Sequence, residues 1–151
     1  MQLRPATPSD LATMKLLVSE APAAAQWSDA EWGRIFDPGG SRTAFVWEEG
    51  GAVVGFVVAR STGPDWELEN IAVRAQARRS GIGCQLLTAL ISSARASNAS
   101  AIHLEVRESN QAGRSLYQRC GFRETGRRKA YYTAPVEDAV LYNFSFSSPE
   151  K

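Results

Sequence analysis

Apolar and polar positions along this chain change period several times, and each change marks an element. Leu11, Met14, Leu17 and Val18 share one helical face. Thr7-Pro8-Ser9-Asp10 is a start signal before them, with Ser9 or Asp10 as cap, and Ala21-Pro22-Ala23 breaks the helix after Glu20. Ser28 followed by Glu31 has capping-box spacing and predicts a second short helix to about Phe36, closed by Asp37-Pro38-Gly39-Gly40. Leu86, Leu87, Leu90 and Ile91 give a third, longer helix one apolar face, running to about Ser97. A fourth starts at Ser109 or Asn110 and runs to about Cys120, where Gly121 stops it.

Between the helices the pattern reads as strands. They are expected at Gln2–Ala6, Thr43–Trp47, Val53–Ala59, Trp66–Val73, Ile102–Val106, Phe122–Ala130 and Val140–Phe146. Glu48-Glu49-Gly50-Gly51 joins the second and third as a hairpin, and Gly63-Pro64-Asp65 turns the chain into the fourth. Thr133–Asp138 reads as a loop between the last two. Strands interleaved with helices point to an α/β domain with a mixed sheet. There is no repeat and no linker. Residues 1–146 are expected to form one domain, and residues 147–151 a frayed tail.

Composition changes this picture little. At 151 residues, with 44% hydrophobic residues, the chain has enough apolar material for a core without staples. A net charge of +1 gives no global argument for nucleic acid or membrane as partner. Arg127-Arg128-Lys129 reads as a solvated face, whereas Arg78 and Arg79 border a glycine loop. Cys84 and Cys120 lie far apart without a C-x-x-C pattern, so neither a zinc site nor a disulfide framework is suggested, and the single His103 does not build a metal site with them. The start shows no hydrophobic signal region, and no apolar run approaches the ~20 residues of a membrane span. A cytoplasmic location is the expectation.

The candidate chemistry begins at Arg78-Arg79-Ser80-Gly81-Ile82-Gly83, between the fourth strand and the third helix. A helix start carries free N–H groups and partial positive charge, and glycines let backbone approach a ligand closely. The loop therefore suits a phosphate or pyrophosphate. A P-loop needs Lys and Ser/Thr after its last glycine, but Cys84-Gln85 follow. A dinucleotide fingerprint needs a third glycine where Leu86 stands. The acyl-CoA pattern Q/R-x-x-G-x-G/A fits Arg78, Gly81 and Gly83. The alternative is an ordinary strand-to-helix turn with two solvated arginines.

With Asn70-Ile71-Ala72-Val73 before the loop, and Leu104-Glu105-Val106-Arg107, Ser109-Asn110, Leu116-Tyr117 and Cys120-Gly121-Phe122 after it, the chain resembles the GCN5-related N-acetyltransferases. Arg128-x-x-Tyr131-Tyr132 and Pro135-Val136-Glu137-Asp138-Ala139 narrow the resemblance to the ribosomal-protein-alanine N-acetyltransferase subgroup (the RimI type). It covers Trp66 to about Tyr142. Such a resemblance implies a mixed, mostly antiparallel sheet of about seven strands flanked by about four helices. It implies acetyl-CoA as cosubstrate, no metal, and an acceptor protein N-terminus as partner, with a monomer or weak dimer and no nucleic acid or membrane. By the same resemblance Ile71, Ala72 and Val73 pair with the pantetheine arm and supply an oxyanion donor. Amides from Arg79 through Ser80, Gly81, Ile82 and Gly83 to Cys84 hold the pyrophosphate, after Arg78. Asn110 bonds the cofactor, and Tyr131, Tyr132 and Glu69 border the acceptor groove, with the Trp27 region beside them. Two positions depart from the pattern: Arg78 stands where Gln is common, and Tyr142 where Met is frequent.

Amide formation from a thioester needs a neutral amine, donors for the carbonyl oxygen and a proton for the thiolate. An α-amine near pKa 8 is roughly one-tenth neutral at pH 7, whereas a lysine amine near 10.4 is far less so; the gap of ~2.5 units is worth ~3.4 kcal/mol. A weak base acting through water suffices for a protein N-terminus. Glu105, at a strand end, matches the base position, acting through a water or with a pKa raised by partial burial. Its alternative is a surface glutamate paired with Arg107. Tyr117 matches the acid, a phenol near pKa 10, its alternative being a core tyrosine beside Leu116. The leading expectation is N-terminal acetylation of a small-subunit ribosomal protein beginning with alanine. Its rivals are small-amine acetylation, for which Glu67, Glu69, Glu105 and Glu108 are the acids at hand, and a non-catalytic CoA-binding module.

Overall fold

The computed structural model describes residues 2–21, 24–78 and 80–146. The expected frayed tail, Arg79 of the basic loop and Pro22-Ala23 of the expected helix break lie outside the described residues. Seven strands form one sheet: β1 (Gln2–Pro5), β2 (Arg42–Glu49), β3 (Ala52–Ser61), β4 (Asp65–Val73), β5 (Ala101–Arg107), β6 (Arg123–Thr133) and β7 (Val136–Ser145). The helices are α1 (Leu11–Ser19), α2 (Asp29–Gly33), α3 (Ile82–Ala96) and α4 (Gln111–Arg119), with short 3-10 turns at Pro8–Asp10 and Ala75–Ala77. The sheet order is β1-β2-β3-β4-β5-β7-β6, antiparallel everywhere except between β4 and β5. The expected mixed, mostly antiparallel sheet with four helices is therefore present.

Val53 to Ala59 of β3 are buried without interruption, because helices cover both faces of the sheet there. On one face α3 places Ile82, Leu86, Leu87, Leu90 and Ile91 against Val54, Val57, Leu68, Ile102 and Leu104. Leu86, Leu87 and Leu90 have no exposed surface, and each such burial contributes about 1.5–3 kcal/mol. On the other face Met14, Leu17 and Val18 of α1 and Trp32 of α2 pack on Val46, Phe56, Val58 and Ala72. Ser28 caps α2 as expected: its hydroxyl accepts from Glu31 N–H at 3.2 Å, and Glu31 accepts from Ser28 N–H at 2.9 Å. The helix stops at Gly33 rather than near Phe36, glycine being a poor helix former. At the start of α1, Asp10 reaches back to accept from Thr7 N–H at 2.8 Å.

Two features of β4 position the site. Val58 pairs with Asn70 while Ala59 pairs with Leu68, so Glu69 is an extra residue, a bulge. Trp66 and Leu68 enter the core under α3, but beyond the bulge Ala72 enters the opposite core while Ile71 and Val73 turn toward α3. Asn70, also beyond it, donates to Ala25 O at 3.0 Å and ties down the segment between α1 and α2. Parallel pairing with β5 runs only from Asp65/Ala101 to Glu67/His103. Beyond Glu67/His103 the two strands part, and the edge of β4 from Leu68 to Val73 faces the gap.

The expected loop at Thr133–Asp138 is a correction. β6 and β7 continue to a tight turn at Ala134-Pro135, where the peptide bond is cis. Polar Glu137 and Asp138 read as loop residues, yet each has a strand role. Asp138 faces a bulge in β6 between Arg128 and Tyr132 and accepts from Ala130 N–H at 2.8 Å. Glu137 binds Arg107 at 3.1 Å and accepts from Ser109 N–H.

Candidate active site

The loop leading into α3 is built by two glycines with different reasons. Gly81 has φ +86°, a left-handed conformation that strains any residue with a Cβ, although space there is open. Gly83 is limited by packing: a Cβ would lie 3.1 Å from the Leu116 side chain of α4. The first helical bond in this turn runs from Gln85 N–H to Gly81 O at 3.0 Å. The amides of Ile82, Gly83 and Cys84 thus form the positive start of a 15-residue helix. Ser80 donates its hydroxyl to Ala77 O, and Arg78 donates Nε to Val73 O at 3.0 Å, so Arg78 folds back on the end of β4.

Glu105 stands on β5, its side chain 27% exposed, and is ion-paired with Arg128 at 2.9 Å. The expected alternative, a pair with Arg107, is not what forms. Arg107 binds Glu137 and lies over the Tyr132 ring at 4.3 Å, while Arg128 lies over the Tyr131 ring at 4.6 Å. Ala139 of β7 pairs with Arg107 on one side and Arg128 on the other, and so small a residue leaves both guanidiniums room to lie across the sheet. Tyr131 and Tyr132 meet edge to face at 5.2 Å. The nearby Glu105 carboxylate raises the Tyr131 phenol, and burial pushes that of Tyr132 up to about 12, with Glu105 adding to it. A pocket of about 310 Å³ opens beside Glu105, lined in part by Glu67, His103, Thr125 and Leu141.

Tyr117 is buried, 5% exposed, on α4. Its ring lies 5.9 Å from Phe122 and 6.0 Å from Tyr142. Burial pushes its phenol well above the ordinary value, and Tyr132 adds to the shift. This corrects the expected pKa near 10: the hydroxyl is a neutral hydrogen-bond donor at any physiological pH and a weaker proton source than a solvated phenol. Tyr142, at the departure from the family pattern, is fully buried and accepts from Arg114 Nε at 3.1 Å.

Two expected binding residues have structural duties. Asn110 caps α4, accepting from Gly113 N–H at 2.9 Å, which commits its side-chain oxygen and leaves its amide N–H groups. Glu69, at the bulge, is held by Arg42 through two bonds of 2.8 and 3.1 Å, with Arg60 at 3.6 Å. Sequence reasoning missed Arg42, Arg60 and Arg128 as partners of the site's acids. For Arg128 the signal was the spacing to Tyr131-Tyr132; nothing in the sequence singled out Arg42 or Arg60.

Comparison with known proteins agrees with this fold. A family model described as Acetyltransferase (GNAT) family matches residues 11–122. The [ribosomal protein bS18]-alanine N-acetyltransferase of Haemophilus influenzae is 37% identical over 96 residues, covering 62% of this chain and 65% of that protein. An N-alpha-acetyltransferase of Sulfurisphaera tokodaii is 37% identical over 113 residues, 64% of this chain and 65% of that one. The chain thus spans slightly less than two thirds of these curated relatives. The crystal structure of the ribosomal-protein-S18-alanine N-acetyltransferase from Escherichia coli superposes with a TM-score of 0.83 at 27% identity, covering 99% of this chain and 96% of that one.

Proposed function

The chain belongs to the acetyltransferase (GNAT) family, and on that premise we propose that it moves an acetyl group from acetyl-CoA to the N-terminal amine of a protein, the alanine of a small-subunit ribosomal protein. One observation carries the reading: β4 and β5 part beyond Glu67/His103, and the freed edge of β4 leads into the amide-rich start of α3. Extended backbone at Ile71, Ala72 and Val73 suits an amide-bearing pantetheine arm, which pairs with it as a strand would. The amides from Ser80 to Cys84, with Arg79, take the pyrophosphate, and Asn110 offers its remaining amide N–H groups.

Glu105 receives the acceptor's proton, through a water where the carboxylate does not reach the amine directly. The neutral amine attacks the thioester carbonyl, and a backbone N–H of the β4 edge holds the developing oxyanion. The C–S bond then breaks, the nitrogen gives up its second proton, and the sulfur leaves as a thiolate that takes up a proton to become the CoA thiol. Tyr117 donates a hydrogen bond to the departing sulfur, and its burial makes that bond more valuable than in water. Tyr131 and Tyr132 line the approach of the acceptor backbone.

A specific pairing favours a protein N-terminus over a polycationic small amine. Glu67 is paired with Arg60 at 3.0 Å, Glu69 with Arg42 at 2.8 Å, Glu105 with Arg128 at 2.9 Å and Glu108 with Arg127 at 2.6 Å. An acceptor carrying several ammonium groups meets neutralised acids. The test is acetyl transfer to a peptide beginning Ala-Arg, beside an N-terminally blocked twin with an internal lysine, with the acetyl group located by mass spectrometry. Transfer only to the free N-terminus is expected. Transfer to the lysine, or to small amines instead of either peptide, would replace the reading.

A further inference from the structure

Cys84 lies in the first turn of α3 and Cys120 caps the end of α4. They are 36 positions apart in sequence, yet their sulfurs stand 3.0 Å apart, both free and both part-buried. The bonded distance is about 2.05 Å, so a closure of about 1 Å brings the two sulfurs to bonding distance. The two helix ends are held against each other independently, because Gly83 lets Leu116 pack directly on the α3 backbone.

We propose that Cys84 and Cys120 form a redox-active dithiol, a modification site that a low-molecular-weight disulfide such as oxidised glutathione converts reversibly to an intramolecular disulfide. The Cys84 thiolate attacks one sulfur of the glutathione disulfide, forming a mixed disulfide and expelling one glutathione thiolate. Cys120 then gives up its proton to solvent and attacks the Cys84 sulfur. The protein disulfide forms and the second glutathione thiolate leaves. Two protein thiols are oxidised, and one glutathione disulfide is reduced to two thiols. Burial and the adjacent Cys84 push the Cys120 thiol up, which makes it the resolving partner rather than the initiator. The bond staples the turn that presents the amides of Ile82–Cys84 to the helix carrying Tyr117. The couple rests on the two sulfurs' positions and not on the acetyl-transfer reading.

The test treats the native protein with oxidised glutathione and reads whole-protein mass, free thiols after denaturation, and Tm. The expected result is loss of both thiols, a mass lower by two hydrogens with no glutathione attached, a raised Tm, and reversal by dithiothreitol. Cys120→Ser is expected to keep a glutathione adduct on Cys84. Stable glutathione adducts on the unaltered protein would overturn the proposal, as would two thiols that react only once the protein is unfolded. A disulfide that forms but lowers Tm would overturn it equally.

Discussion

Glu105 of β5 and Arg128 of β6 form an ion pair at 2.9 Å that reaches across the intervening strand β7. The acid offered as catalytic base therefore rests against a cation, and Arg128 in turn lies on the ring of Tyr131. In the proposed mechanism an acceptor ammonium entering here replaces one cation with another beside the carboxylate, and its proton passes to Glu105.

Replacing Glu105 with Gln removes the proposed base and the charge that Arg128 pairs with. Turnover is expected to fall about 10²-fold at neutral pH, the lower end of a general base's contribution. The loss should shrink as pH rises past the acceptor's amine pKa near 8, because solvent then supplies the neutral amine. A pH–rate profile of both proteins checks this; a rate unchanged at pH 7 returns Glu105 to a surface role.

Gly81→Ala forces a Cβ into a left-handed backbone at the mouth of the α3 amides. The strain is about 1–2 kcal/mol, which lowers Tm by about 2–8 °C in a domain of this size. CoA affinity should fall as well, because the loop relaxes away from the conformation that aims its amides. Thermal melts and calorimetric titration with CoA measure the two effects on one sample.

Glu69→Gln tests whether the bulge acid serves substrate or fold. Its carboxylate is 13% exposed and held by two arginines. Losing the charge weakens both bonds and should cost about 1.5–3 kcal/mol in denaturant unfolding. The acceptor KM should move little; a large rise in KM with unchanged stability would make Glu69 an acceptor-binding residue instead.

Asp10 is buried at the start of α1 beside Arg4, at 2.8 and 2.9 Å, and that partner holds its carboxyl below the usual range. A depressed folded pKa means stability present above the unfolded value near 3.9 and lost as pH falls through the folded one. Melts across the acid range should show this loss in the native protein, and Asp10→Asn should flatten it while lowering stability at pH 7.

What the sequence revealed follows the range of the interactions concerned. The α3 helix, its glycine loop and the Ser28 cap were legible because a few neighbouring residues decide each. The bulge at Glu69 was hidden, because residues 66, 68, 70 and 72 are all buried and keep an unbroken alternation while the strand changes face between them. The β6–β7 turn was misread because Glu137 and Asp138 are polar for partners on other strands, Arg107 and Ala130. The meeting of Cys84 with Cys120, and of Glu105 with Arg128, depends on sheet order, which no local pattern encodes.

The most direct test of reaction in the cleft between β4 and β5 is Tyr117→Phe, measured for single-turnover acetyl transfer and for CoA affinity on the same protein. The phenol is buried against Phe122 and Tyr142, so the ring can stay packed when only the hydroxyl is lost. The expected result is a rate reduced about 10²-fold with CoA affinity nearly intact, as befits a group that acts on the departing sulfur. Equal loss of rate and affinity, or an unchanged rate, would contradict that role and leave Tyr117 a core residue of α4.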